Sequence, residues 1–283
     1  PSRASRCTTQ HVRLPKWDFV FQSSRVSVIV SEYESFSRAP ASTIGISGGL
    51  IFALSSTVEH CTIGIDNVEL HADNYGSCFV YADSQSSLLG VNLSVSDSLI
   101  NGSQSRLIYF SAISLQTVSI LIKNVTCNTQ LPAVLMGALL PQTTAVTLSI
   151  THSWIAAAVA VALVYFDAAS LALVINTSTL RIVGSSSVVA ALYCSTVSLT
   201  NSNIRVDAVR MISDALATKQ MVFLTSFFLT NTTVAITITS LDGLCGIVGI
   251  LNSAVDQSST IRVQVKESMT VDPNAYRIYC GHR

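Results

Sequence analysis

Along most of the chain, apolar and polar residues alternate in one short phrase. Two apolar positions flank a polar one, a polar residue stands two places on, and a further apolar one usually follows three places later. Successive copies read CTIGIDNVEL, VNLSVSDSLI, VSILIKNVTC, VTLSITHSWI, LALVINTSTL, STVSLTNSNI, TSFFLTNTTV and IRVQVKESMT, with a weaker copy at VSVIVSEYES. Aligning the seventh residue of each gives an anchor column of Glu32, Asn67, Asp97, Asn124, His152, Thr177, Asn201, Asn231 and Glu267. Four and two residues earlier stand Val28 and Val30, Ile63 and Ile65, Leu93 and Val95, Ile120 and Ile122, Leu148 and Ile150, Leu173 and Ile175, Val197 and Leu199, Phe227 and Leu229, and Val263 and Val265. All eighteen are apolar, which independent draws at 49% apolar composition would give about three times in a million.

The intervening positions, such as Thr62, Gly64, Asp66, Ser94, Ser96, Thr147, Ser149 and Thr151, are small and polar. Period-two alternation with one polar side predicts strands with one face in a core and one in water. A second apolar run follows many copies, as at Cys78–Ala82, Leu107–Phe110 and Leu163–Phe166. Strands repeated every 24 to 36 residues without helical crossovers exclude a βαβ sheet. A coil that stacks each strand on its counterpart explains the repetition, so the expected fold is an all-β, right-handed parallel β-helix of about nine rungs. An up-and-down barrel or propeller is the main alternative, but only Asn101-Gly102 and Asp242-Gly243 give the hairpin signal it needs. The segment Asp207–Lys219 is compatible with a short helix or a degenerate strand. The expected organisation is an N-terminal arm or cap at 1–23, β-helix repeats at 24–272 and a C-terminal tail at 273–283.

Composition narrows the function classes. Net charge is zero and 11% of residues are charged, which argues against nucleic acid or a polybasic membrane contact. The most apolar stretch runs from Trp154 to Ile175, but its uninterrupted part ends at Phe166 and is too short for a spanning helix. Membrane association is therefore expected only through regions outside this chain. The basic, polar opening holds no signal-peptide core, and a start at Pro1 suggests a processed protein or a fragment. Seven scattered cysteines lack metal-ligand spacing; Cys7 and Cys280 are placed to staple the termini, and the rest read as small buried hydrophobes. No metal and no cofactor is expected.

The anchor column keeps the inward parity of its strand yet is polar throughout. The expected role of Asn67, Asp97, Asn124, His152, Thr177, Asn201 and Asn231 is an internal polar ladder that sets register between coils. It also measures distance between acids: Glu32 and Asp97 are two rungs apart, roughly 10 Å. Asp66 and Asp97, on neighbouring rungs, differ in parity and are expected on opposite faces. No nucleophile elbow, zinc motif, phosphate loop or paired-Asp phrase occurs, so no catalytic residue is assigned. Five N-x-Ser/Thr sequons stand at Asn92, Asn101, Asn124, Asn176 and Asn231. Strand parity places Asn92 and Asn176 outside and Asn101 in a turn, making these three the glycosylation candidates; Asn124 and Asn231 fall in the ladder.

The phrase, with its Asn, Asp or Thr column inside 24–36-residue coils, resembles the pectin-lyase-like right-handed β-helix superfamily over roughly residues 24–272. The Ser/Thr/Val-rich texture of SSSVVAALYCSTVSLTNSNIRV and SLALVINTSTLRIVGSSS is similar to the dispersed-gene-family surface proteins of trypanosomatid protozoa. These resemblances imply an extracellular or cell-surface glycoprotein acting in adhesion, in carbohydrate or partner-protein binding, or as a scaffold. The alternative they leave open is a carbohydrate-active lyase or hydrolase whose site spans several strands.

Overall fold

The computed structural model describes residues 9–11, 19–21, 27–37, 49–53, 57–72, 78–112, 114–138, 144–183, 190–213, 220–243, 246–268 and 278–281. Within them the chain is all β: every strand pairing is parallel, and two long sheets wind around one apolar core. This is a β-solenoid, and parallel stacking excludes the hairpin-built barrel and propeller. In one of the sheets successive parallel strands, from Ser27–Ser37 to Thr260–Ser268, stack coil upon coil. Further parallel pairs extend both ends: Thr9–His11 and Phe19–Phe21 join the first coils, and Ile278–Gly281 the last. Solenoid strands thus lie within the segments set apart as arm and tail.

Sheet I carries most of the phrases. Thr62–Ala72, Asn92–Ser96 and Ser114–Lys123 stack in it, followed by Thr144–Thr151, Leu171–Ile182, Asn203–Ser213, Thr233–Gly243 and Thr260–Ser268. The second apolar runs form sheet II, through Gly49–Ala53, Cys78–Ala82, Arg106–Ala112, Pro132–Ala138, Val159–Ala168, Ala190–Thr200, Gln220–Thr230 and Gly246–Leu251. The phrase residues from Ile63 and Ile65 through Phe227 and Leu229 are all buried, and Val263 and Val265 are partly so. Like residues stack directly, as in Ile122, Ile150 and Ile175, because each coil repeats the one before. The segment at 207–213 is strand, not helix; residues 214–219 lie outside the described residues.

Three columns of left-handed residues turn the coil. One runs through His60, Gly90, Thr117 and Ala145 (φ 49°, 62°, 53° and 38°) and further up through Asn201 and Asn231 (49° and 48°). A second contains Asn67, Asp97, Asn124, His152 and Thr177 (52°, 47°, 53°, 51° and 48°). A third, in sheet II, contains Tyr165, Thr196, Ser226 and Asn252 (51°, 55°, 50° and 49°). Each non-glycine there costs roughly 1 kcal/mol, least for Asn and Asp, whose short side chains tolerate the conformation. Coil-to-coil bonds continue across the corners, among them Asp97 N–H to Lys123 O at 3.1 Å and Asn124 N–H to Thr151 O at 3.0 Å.

These corners revise the anchor column in two ways. A left-handed residue breaks the two-residue parity, so Asn67, Asp97, Asn124, His152, Thr177, Asn201 and Asn231 are exposed rather than internal. The column also divides. Leu173 and Ile175 pair with Ile204 and Val206, whereas the STVSLTN phrase belongs to sheet II, where Val197 pairs with Phe166 and Phe227. Asn201 and Asn231 therefore sit one corner away from Thr177. Glu267 lies in line with Ser240, Arg210 and Thr179, outside both columns, while Glu32 lies beside Asn67.

An internal polar ladder does exist, one residue after the corner. Ser98, Ser153 and Ser178 follow the second column, and Ser202 and Thr232 the first; all five are buried. Each hydroxyl donates to the carbonyl two residues back and accepts an N–H from the preceding coil. Ser153 Oγ bonds Thr151 O at 2.9 Å and Val125 N at 3.1 Å; Ser178 Oγ bonds Asn176 O at 2.9 Å and Ser153 N at 3.2 Å. Ser202 and Thr232 repeat the arrangement, with Thr232 Oγ1 accepting from Ser202 N at 3.2 Å. The hydroxyl thus satisfies backbone groups that the bend turns away from the regular ladder.

Candidate functional site

Parallel stacking converts the outward positions of sheet I into ladders about 4.8 Å apart. One runs Thr62, Asn92, Ser119, Thr147; another Asp66, Ser96, Lys123, Thr151, Asn176, Asp207. Hydroxyls and amides dominate this face, interrupted by Lys123, by Leu121 (42% exposed) and by an Arg205 Nε–Asp207 Oδ2 ion pair of 2.5 Å. The Ser96 hydroxyl donates to Asp66 Oδ1 at 2.5 Å.

The exposed corner side chains form their own ladders along the edges of that face. Asn124 Nδ2 donates to Asp97 Oδ1 at 2.5 Å, and Asn231 Nδ2 to Asn201 Oδ1 at 2.7 Å. Above Asn231, Asp256 receives its N–H at 3.3 Å and accepts the hydroxyls of Ser259 (2.5 Å) and Ser258 (2.7 Å). Those two hydroxyls hold the Asp256 carboxyl below the ordinary range. Asp66 and Asp97 both lie outside, since the corner turns Asp97 outward, and each carboxylate already accepts a bond from the coil above. His152 is an exposed corner residue.

All five sequon asparagines are exposed. What separates them is the amide: Asn124 and Asn231 use Nδ2 as a coil-to-coil donor, and Nδ2 is the atom a glycan would join. Cys61, Cys78, Cys127 and Cys194 are buried among the core hydrophobes. Cys7 and Cys245 lie outside the described residues, and so does the expected Cys7–Cys280 staple.

Sheet II has a different exterior. Tyr81 and Tyr109, on adjacent coils, stack with centroids 5.1 Å apart and planes within 6°. The Arg106 guanidinium lies 4.8 Å from the Tyr109 centroid. Arg106 and Tyr109 are partly exposed, while Leu107 and Ile108 between them and Phe110 after them are buried. Burial, then the neighbouring Tyr109, raises the Tyr81 phenol. Burial pushes the Cys78 thiol up to about 12 despite the opposing Arg106 charge. Ser105 Oγ and Arg106 Nε are buried without a hydrogen-bond partner. Each such group costs about 1–3 kcal/mol. This cluster escaped sequence reading because its members come from apolar runs with no motif; aligning Cys78–Ala82 with Arg106–Ala112 would have paired the tyrosines.

No group of three or more His, Cys, Asp or Glu side chains poised for a metal occurs among the described residues. No helix among them is long and apolar enough to cross a membrane. No family model, curated protein or solved structure matches the chain.

Proposed function

We propose that this chain is a non-catalytic surface or extracellular β-solenoid acting in adhesion, its outer sheet I face binding carbohydrate or a partner protein. The observation that carries the reading is the pair of outward ladders, Thr62–Asn92–Ser119–Thr147 and Asp66–Ser96–Lys123–Thr151. Rigid donors and acceptors repeated at about 4.8 Å suit many weak contacts to an extended polar ligand. The sequence texture shared with trypanosomatid surface proteins and the pectin-lyase-like phrase support the same setting, and the latter keeps a carbohydrate-active enzyme as the rival reading.

The test is a glycan array and a cell-binding assay on the full chain, with Ser119→Lys and Thr147→Lys as face variants. Saturable capture that both variants lose, with unchanged far-UV circular dichroism, supports adhesion through this face. Release of new reducing or unsaturated ends from polysaccharides would replace the reading with the enzyme. Capture indifferent to the variants would move the site elsewhere.

A further inference from the structure

Among the described residues, sheet I ends on a strand that is paired on one side only. Thr260–Ser268 stacks on Thr233–Gly243, and no described strand lies on its other side. Its backbone is set to receive one. Thr260 N–H donates to Thr232 O at 2.9 Å, and successive strand residues turn their backbone groups to opposite sides. Ile261, Val263 and Val265 therefore aim N–H and C=O at the open side. Val146 does the same lower in the sheet, where its N–H reaches Ser170 O of the next coil at 2.9 Å. The side chains agree with the backbone. Ile261, Val263 and Val265 are partly exposed, whereas Val234, Ile236 and Ile238, their register partners on the coil below, are 0–1% exposed.

The outward residues of this last strand choose among partners. Arg262, Gln264 and Lys266 are exposed, which sets two cations four residues apart. The coil below offers Arg262 and Gln264 only the neutral neighbours Ala235 and Thr237. A second copy of the chain is a poor match. Its strand Ser27–Ser37 already carries Thr9–His11 along Ser27–Ile29, and the register of the coils would set Ile29 over Arg262. Its own Thr260–Ser268 would bring two more cations to the same edge.

We propose that the open edge of Thr260–Ser268 docks an extended segment of another protein as an added parallel strand. That segment carries acidic residues four positions apart, facing Arg262 and Lys266, with apolar residues over Ile261, Val263 and Val265. Main-chain bonds supply the affinity, and the alternate side chains select the partner. The site lies at the end of the solenoid and does not depend on the hydroxyl ladders.

The test is fluorescence anisotropy with labelled peptides titrated by the full chain. Val-Glu-Val-Thr-Val-Glu is expected to bind saturably, and Val-Lys-Val-Thr-Val-Lys at least about tenfold more weakly. The double variant Arg262→Glu/Lys266→Glu should reverse that preference, with far-UV circular dichroism unchanged because both side chains are exposed. N-methylation separates strand addition from charge attraction and leaves the protein untouched. Methyl groups on the two Glu amides and the Thr amide of the peptide should abolish binding, and methyl groups on the Val amides should spare it. Equal affinity for the two peptides, a preference that the double variant does not move, or equal loss from either methylation pattern would overturn the proposal. So would a dimer in sedimentation velocity that the glutamate peptide disperses, since a second copy would then hold the edge.

Discussion

The hydroxyl of Ser178 accepts the backbone N–H of Ser153 at 3.2 Å, one coil away, and the hydroxyl of Ser153 does the same for Val125 at 3.1 Å. These two residues relay the stack across the corner marked by His152 and Thr177. Their role is to satisfy an amide that the bend removes from the strand ladder, in a place water does not reach.

Removing one hydroxyl should therefore cost more than its size suggests. Ser178→Ala leaves the Ser153 N–H buried and unpaired, and is expected to lower unfolding stability by about 1–3 kcal/mol. Ser149→Ala, on the outward face of the same sheet, should change it by less than about 0.5 kcal/mol. Urea unfolding of both variants, compared at constant slope, checks the contrast. Equal effects would remove the relay as the reason for the buried serines.

Gly90 faces a double constraint: φ is +62°, and a Cβ there would lie 2.7 Å from His60 Nδ1 on the coil below. Gly90→Ala should cost about 1–2 kcal/mol from the left-handed backbone alone, with the contact added. His60→Ala in the same chain should recover only the contact part. A double-mutant cycle by denaturant unfolding separates the terms, and strict additivity would show that His60 yields without cost.

How far the chain could be read in advance follows from these corners. Alternation at Ile63 and Ile65, or Leu148 and Ile150, reports burial directly, because nothing but a core selects two apolar residues around a polar one nine times over. The corner residue is legible as polar but not as outward, since parity arguments assume an unbroken strand and φ near 50° breaks it. The phrase ending in Asn201 looks like the one ending in Thr177, yet belongs to another corner. Any strand that runs into a left-handed turn produces the same apolar–polar–apolar–polar–Asn signature, and the coil has more than one such turn. The partners that identify the corner, Ile204 with Leu173 and Phe227 with Val197, carry no distinguishing letter. The tyrosine–arginine cluster was hidden for a related reason, being assembled by register between runs that read only as apolar.

Glycan mapping tests the corner ladders independently. Produced through a secretory pathway, the chain is expected to carry glycan at some or all of Asn92, Asn101 and Asn176, and none at Asn124 or Asn231. The last two hold their Nδ2 against Asp97 and Asn201. Peptide mapping before and after glycosidase treatment reads this out. Occupancy at Asn124 or Asn231 with none at the other three would mean that the amide ladders do not form.

The buried cysteines give a prediction with a definite pH window. Burial raises the Cys78 thiol from 9.0 to about 12, and raises Cys127 and Cys194 further in the same direction. A raised folded-state value means that the native chain holds protons the unfolded chain releases. The resulting stability is complete below about pH 9, and for Cys78 is lost as pH rises from there toward about 12. Cys78, Cys127 and Cys194 should therefore resist alkylation by iodoacetamide at pH 8 in the native state and react fully in guanidinium chloride. Mass-spectrometric mapping after a native pulse distinguishes them one by one. Alkylation of Cys127 or Cys194 at the rate of a free thiol would show that the core between the two sheets opens far more readily than its stacked packing allows.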